Sequence, residues 1–217
     1  MPDKPSLFPL IRHISARLTP LLVRLPVTAN QITTASMILG LAVGWLLTRG
    51  TAHTDIAAGA LLVSAYVLDN CDGEVARAKG QCTTFGMHYD TFADWVVHTA
   101  FFIGLGFGVQ ARLDDDIWLW MGIAAAAGGT INYGLGWLFI YLDKEDEPDS
   151  AQSHRQPETP AEWLVFAFRE LARADFCFLV LALAIPGSLW LLLPAGMVGA
   201  QVYWMALCIK NAGQFHA

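Results

Sequence analysis

The sequence predicts an all-α integral membrane protein, with six transmembrane helices preceded by an N-terminal amphipathic surface helix. Three observations lead there. Hydrophobic residues make up 55% of the chain and charged residues only 15%, against roughly 25% charged in an average soluble domain. Six apolar stretches recur along it, several near the ~20 residues that cross a hydrocarbon core. Between them lie short polar connections and a single longer polar segment.

Residues Leu7–Leu25 come first, with Leu, Ile and Val interleaved with Arg12, His13, Arg17 and Arg24. That pattern fits a helix lying along the membrane surface with its cations at the headgroups. Pro26 is placed to end it. These arginines and Pro20 also interrupt any apolar run of the kind a cleavable signal peptide needs, so none is expected. The six stretches follow as Thr33–Leu47, Ile56–Leu68, Phe92–Val109, Ile117–Leu142, Trp163–Ile185 and Leu189–Ile209. One membrane domain over residues 1–217 accounts for them, the surface helix at 7–25 and the bundle at 28–212.

Orientation follows from the basic residues. With six spans, both termini share a side with Arg77, Lys79, Lys144 and Arg155, whereas the opposite loops hold Arg49 and an Arg112 followed by Asp114, Asp115 and Asp116. The termini are therefore expected in the cytoplasm. The formal net charge of −6 gives no reason to expect nucleic acid as a partner. Cys71, Cys82, Cys177 and Cys208 form no CxxC pair and no zinc spacing, and read as free thiols.

The second and third stretches are apolar at one end and acidic at the other. Asp69, Asp72, Gly73 and Ala76 are three, four and seven apart, so they line one stripe of a helix; Gly86, Asp90 and Asp94 line a stripe of the next. A short turn near Gly80–Thr84 would make the two helices antiparallel neighbours with their acidic stripes facing. Unpaired carboxylates are costly in a low-dielectric site. Hard divalent cations answer that cost, because oxygen-only ligand sets suit Mg²⁺ or Mn²⁺. Two such ions could grip a pyrophosphate. Gly73 and Ala76 leave room beside them for a bulky group such as a nucleotide, and Arg77 offers a planar donor fork to phosphate. The competing reading is an ion transporter using the same carboxylates as a path.

These residues resemble a known family. The pattern DxxDGxxAR, eight residues, then GxxxDxxxD is the signature of the CDP-alcohol phosphotransferases, also called CDP-alcohol phosphatidyltransferases. Every fixed position is filled: Asp69, Asp72, Gly73, Ala76, Arg77, Gly86, Asp90 and Asp94. The family's usual layout, a surface helix and six spans, is the one read above from hydropathy. An Asn-x-x-Thr element opening the first span also matches, at Asn30-Gln31-Ile32-Thr33.

The resemblance implies roles. Asp69 and Asp90 would bridge two ions, Asp72 would complete the first site, and Asp94 would touch the second metal and serve as general base. Gly73, Ala76, Arg77, Thr83 and Gly86 would line the cytidine diphosphate, with Asn30 to Thr33 closing that pocket. An alcohol would attack a phosphorus of the pyrophosphate and CMP would leave. The expected partners are a CDP-activated donor, a small alcohol acceptor and membrane lipid, in a bacterial inner membrane; a homodimer is compatible with the resemblance. CDP-diacylglycerol is the leading donor, with an acceptor of the inositol phosphate or glycerol phosphate type, as in phospholipid synthesis. The alternative donor is a soluble CDP-alcohol such as CDP-inositol. The string Cys71-Asp72-Gly73-Glu74-Val75-Ala76-Arg77 looks like the branch that makes di-inositol phosphate phosphates.

Other polar residues admit two uses. Arg173 either faces the cavity as an acceptor contact or pairs with Glu170 or Asp175. His98, one turn past Asp94, either orients the base or fills the core. His88 sits on another face from Asp90. Glu74, off the aspartate stripe, is expected to meet a cation or water. Asn132 and Tyr133 can hydrogen-bond between helices. Trp118, Trp120, Trp163 and Trp190 fall where interfacial aromatics belong.

Overall fold

A computed structural model describes residues 9–142 and 175–212, and the regular structure among them is helical throughout. The helices are α1 (Ile11–Arg24), α2 (Ala29–Leu47), α3 (Ala52–Lys79), α4 (Thr84–Leu113), α5 (Ile117–Leu142) and α6 (Phe176–Ala184). A 3₁₀ turn at Leu189–Leu191 then leads into α7 (Leu192–Ala212). Among the described residues, three segments are long and apolar enough to cross a bilayer: Ala29–Leu47, Thr84–Leu113 and Leu189–Ile209. The expected span Trp163–Ile185 is seen only from residue 175 onward; its first part lies outside the described residues.

Local chemistry explains the boundaries. Thr28 and Gln31 form a reciprocal capping box that starts α2, and Thr51 with Thr54 does the same for α3. Gly80 ends α3 in the left-handed region at φ 64°, and the Gln81 amide returns to the Ala76 carbonyl at 2.8 Å. This closure satisfies carbonyls at the helix end, and the conformation suits a residue without Cβ. Three residues later Thr83 caps α4, accepting from the Gly86 amide at 3.0 Å. α3 thus runs on as one helix through the charged motif, well beyond the apolar stretch Ile56–Leu68.

α2 is the central post. α3 and α4 each pack along it, α5 packs on the far side of α4, α7 on α5, and α1 and α6 on α3. The α2–α4 crossing is close because both helices carry small residues four apart: Gly40 faces Val97, Gly44 faces Ala100 and Gly104, and Gly108 faces Leu47 and Gly50. A Cβ on Gly104 would collide with the backbone carbonyl of Gly44, and one on Gly108 with that of Leu47. Small-xxx-small faces let membrane helices gain backbone contact. Phe101 fills the core beside this seam, in edge-to-face contact with Phe176 of α6 at 5.4 Å.

α3 and α4, joined by a tight turn, bring their acidic stripes face to face as expected, but their backbones do not pack closely on each other. Both lean on α2, and a gap separates them at the acidic end.

Candidate metal centre

The gap between α3 and α4 is where the carboxylates gather. One oxygen each from Asp69, Asp72 and Asp90 lies within 4.8 Å of the others. Asp72 is buried, with Asp69 and Asp90 half-buried. Asp94, one turn beyond Asp90, stands outside this group of three and is exposed. Three acid groups converge from two helices of an apolar bundle, and this donor set is all oxygen. It fits a hard divalent cation.

Asp72 is held in place from α2. The buried hydroxyl of Thr33 donates to its Oδ2 at 2.5 Å. Thr33 therefore stands against a candidate ligand. Asn30, Thr83 and Gly86 do come together. A Cβ on Gly86 would lie 3.2 Å from both Asn30 Oδ1 and Thr83 Oγ1, so the bare glycine keeps a polar recess open. The Arg77 guanidinium lies over Gly73, its Nη1 3.4 Å from where a side chain would begin. Ala76, one turn on, is half-buried on the same stripe. Arg173 lies outside the described residues.

His98 does not reach the Asp94 carboxylate. Its Nδ1 faces the Asp94 backbone carbonyl at 2.8 Å, and its Nε2 meets the Tyr66 hydroxyl at 3.0 Å. A carbonyl only accepts, so Nδ1 carries the proton and Nε2 accepts from the Tyr66 O–H.

Glu74 lies off the aspartate stripe and is engaged by α1. Its carboxylate accepts from the Ser15 hydroxyl at 2.8 Å and the Thr19 hydroxyl at 2.5 Å, which ties α1 to the motif helix. Asp175 secures the other end of α1, accepting from the Leu10 and Ile11 amides at 2.8 and 2.9 Å. A carboxylate at a helix start satisfies amides that have no partner within the helix. Two further supports escape any reading of one helix at a time. Lys79 donates to the carbonyls of Leu25 and Val27, and Gln81 accepts from the Ala29 amide at 3.1 Å, so the α3–α4 turn locates the start of α2. Tyr66 could have been found from spacing, since it lies three residues before Asp69 on the same stripe.

At the other end of α4, a hollow of about 580 Å³ is lined by Thr48, Phe107, Gln110 and Asp114–Asp116. It lies roughly 24 Å along the helix from Asp94, at 1.5 Å per residue. It takes no part in the carboxylate site.

His88 packs on Trp137 and Trp95 stacks on Tyr133, with ring centroids 4.4 and 5.1 Å apart, so α4 and α5 meet through aromatics on another face from the aspartates.

Comparison with known proteins agrees with this geometry. The chain is 31% identical over 120 residues to a "Bifunctional IPC transferase and DIPP synthase" of Thermococcus kodakarensis, a match covering 55% of this chain and 26% of that protein. A protein of the same description from Aquifex aeolicus is 33% identical over 109 residues, covering 50% of this chain and 24% of its own length. The chain thus matches about a quarter of the length of these relatives. The family model described as CDP-alcohol phosphatidyltransferase matches residues 26–209, taking in all four aspartates. The chain belongs to the CDP-alcohol phosphatidyltransferase family.

Proposed function

We infer that the chain is an integral membrane enzyme that transfers a phosphate-linked group from a CDP-activated donor to an alcohol, releasing CMP. The observation that carries this reading is the convergence of Asp69, Asp72 and Asp90 from two helices within an apolar bundle. Asp94 stands beside them, and the family match covers the whole motif. Asp69, Asp72, Asp90 and Asp94 would hold two Mg²⁺ or Mn²⁺ ions. Bound there, the metal would neutralise charge on the pyrophosphate and on the departing oxygen.

The remaining chemistry belongs to the protein's own groups. Asp94, left outside the tight group, takes the proton from the attacking hydroxyl. The alcohol oxygen bonds to phosphorus as the phosphorus–oxygen bond to CMP breaks, so no covalent enzyme intermediate is needed. Arg77, lying over Gly73, is placed to grip a donor phosphate. Asn30, Thr83 and Gly86 form a polar recess suited to the rest of the nucleotide.

Two observations move the donor from CDP-diacylglycerol toward a soluble CDP-alcohol such as CDP-inositol. One is the Cys71–Arg77 string. The other is that both relatives carry "DIPP synthase" in their names. The membrane reading extends to six spans, with the site at the cytoplasmic face and α1 along the surface. In its favour, Ile14, Leu21 and Leu25 are exposed beside exposed Arg12, Arg17 and Arg24.

The test is CMP release by the purified protein in detergent, with and without Mg²⁺, using CDP-inositol and CDP-diacylglycerol in turn across a panel of acceptor alcohols. Metal-dependent CMP from the first donor supports the soluble-donor reading, and from the second the phosphatidyl reading. No CMP from either, together with Mg²⁺ or Mn²⁺ flux across liposomes, would replace the enzyme with a transporter.

A further inference from the structure

Two helices supply the carboxylates, yet they do not pack on each other. Asp69 and Asp72 ride on α3 and Asp90 on α4, both leaning on α2. Something must set the distance across the gap, because a metal site tolerates little error in the spacing of its ligands. Among the described residues, two hydrogen-bonded links join α3 directly to α4. The first is the Tyr66 hydroxyl on His98 Nε2 at 3.0 Å. The second is the ion pair of Asp55 with Arg112 at 2.5 Å, at the far end of the helices.

The near link lies one helical turn below Asp69 on α3, and on α4 one turn below Asp94 and two below Asp90. Tyr66 precedes Asp69 by three residues and His98 follows Asp94 by four, so both point from the stripes that carry the acids. His98 is not free to turn away. It is pinned at Nδ1 by the Asp94 carbonyl, and Phe176 of α6 packs near its ring, with centroids 6.1 Å apart. The far link is 11 residues down α3 and 14 down α4, roughly 17 and 21 Å from the near one. A change there is diluted over three or more turns before it reaches the carboxylates.

We propose that Tyr66 and His98 are positioning residues that set the α3–α4 separation and so the metal-ligand spacing of the carboxylate site. Neither touches the reacting atoms. Their contribution is a fixed brace across a gap that backbone packing leaves open. The proposal rests on the metal-dependent reading above.

The experiment is titration of the purified, detergent-solubilised full chain with Mn²⁺, followed by electron paramagnetic resonance, with thermal unfolding measured in parallel. Tyr66→Phe removes one hydroxyl, and His98→Leu removes the acceptor while keeping bulk. Both are expected to weaken Mn²⁺ binding about tenfold, the scale seen when groups that orient metal ligands are lost. His98→Gln, which keeps an acceptor within reach of Tyr66, is expected to restore most of the affinity. Asp55→Asn serves as the comparison: it weakens the distant link and should lower thermal stability with the Mn²⁺ midpoint unchanged. Unaltered Mn²⁺ binding in Tyr66→Phe and His98→Leu, with the wild-type protein binding normally, would overturn the proposal. A wild-type protein that binds no Mn²⁺ would instead sink the metal reading itself, and the brace with it.

Discussion

Thr33 on α2 donates its hydroxyl to Oδ2 of Asp72 on α3 at 2.5 Å, and both side chains are almost fully buried, at 3% and 5% exposed. The bond joins the post of the bundle to a candidate ligand, and it fixes which oxygen of Asp72 is left for other partners. A Thr33→Val variant keeps the shape and removes the donor. Mn²⁺ affinity is expected to fall about tenfold, with the fold retained. Ser36→Ala, three residues on, removes a bond to the Ala65 carbonyl and should leave metal affinity alone. Equal effects of the two variants on Mn²⁺ titration would show that Thr33 matters only to packing.

The exclusion of Asp94 from the three-carboxylate group predicts a split between binding and turnover. Asp94→Asn should cut kcat by at least about a hundredfold, the scale of a lost general base, while nucleotide binding and Mn²⁺ binding at the other three acids persist. Asp69→Asn should abolish both, because a member of the group is gone. Calorimetric titration with a CDP-alcohol beside single-turnover CMP release separates the outcomes. Equal loss of binding in both variants would deny Asp94 the role of base.

α1 is tethered to α3 by Glu74 and to the start of α6 by Asp175. Glu74→Leu leaves the Ser15 and Thr19 hydroxyls without their acceptor and should destabilise the docked helix by about 1.5–3 kcal/mol, the range for hydrogen bonds to a charged group. Glu74→Gln, which still accepts one bond, should cost less. Trypsin reports the docking directly, through faster cleavage after Arg17 and Arg24 in the leucine variant. Unchanged digestion would mean that α1 is held by its apolar face alone.

The α2–α4 seam predicts a contrast between glycines. Gly104→Ala places a methyl group against the Gly44 carbonyl, backbone against backbone, so the helices must part. Gly134 on α5 has no heavy atom within 4 Å of a new Cβ, and Gly134→Ala should be neutral or stabilising by up to about 1 kcal/mol through helix propensity. Thermal unfolding in detergent should place Gly104→Ala below the wild-type midpoint and Gly134→Ala at or above it. A wider α2–α4 crossing would also disturb the carboxylates, so Gly104→Ala should lose metal affinity together with stability.

Much of this was legible one helix at a time. Helical periodicity alone places Asp69 with Asp72 and Asp90 with Asp94 on shared stripes, and it marks Gly73, Ala76 and Gly86 as clearings beside them. Hydropathy located the apolar part of each described helix, but α3 runs on through its acidic motif to Lys79 and α4 starts at Thr84, eight residues before the apolar stretch at Phe92. The small-residue pairs Gly40/Gly44 and Gly104/Gly108 are equally available from spacing, and they mark a close helix crossing.

What the sequence by itself determined, then, was each helix and the face on which its chemistry sits, because those depend on a local repeat that a single chain displays. Only the tertiary structure decided how the faces meet. Thr33 with Asp72, Glu74 with Ser15 and Thr19, Asp175 with the first amides of α1, and Tyr66 with His98 join residues 32 to 165 positions apart. Their pairing depends on the rotation and separation of whole helices. The Gly80–Thr83 turn joins the acidic ends of α3 and α4, both helices lean on α2, and the Tyr66–His98 bond spans the gap left between them. The width of that gap is a property of three helices at once, and no local repeat encodes it.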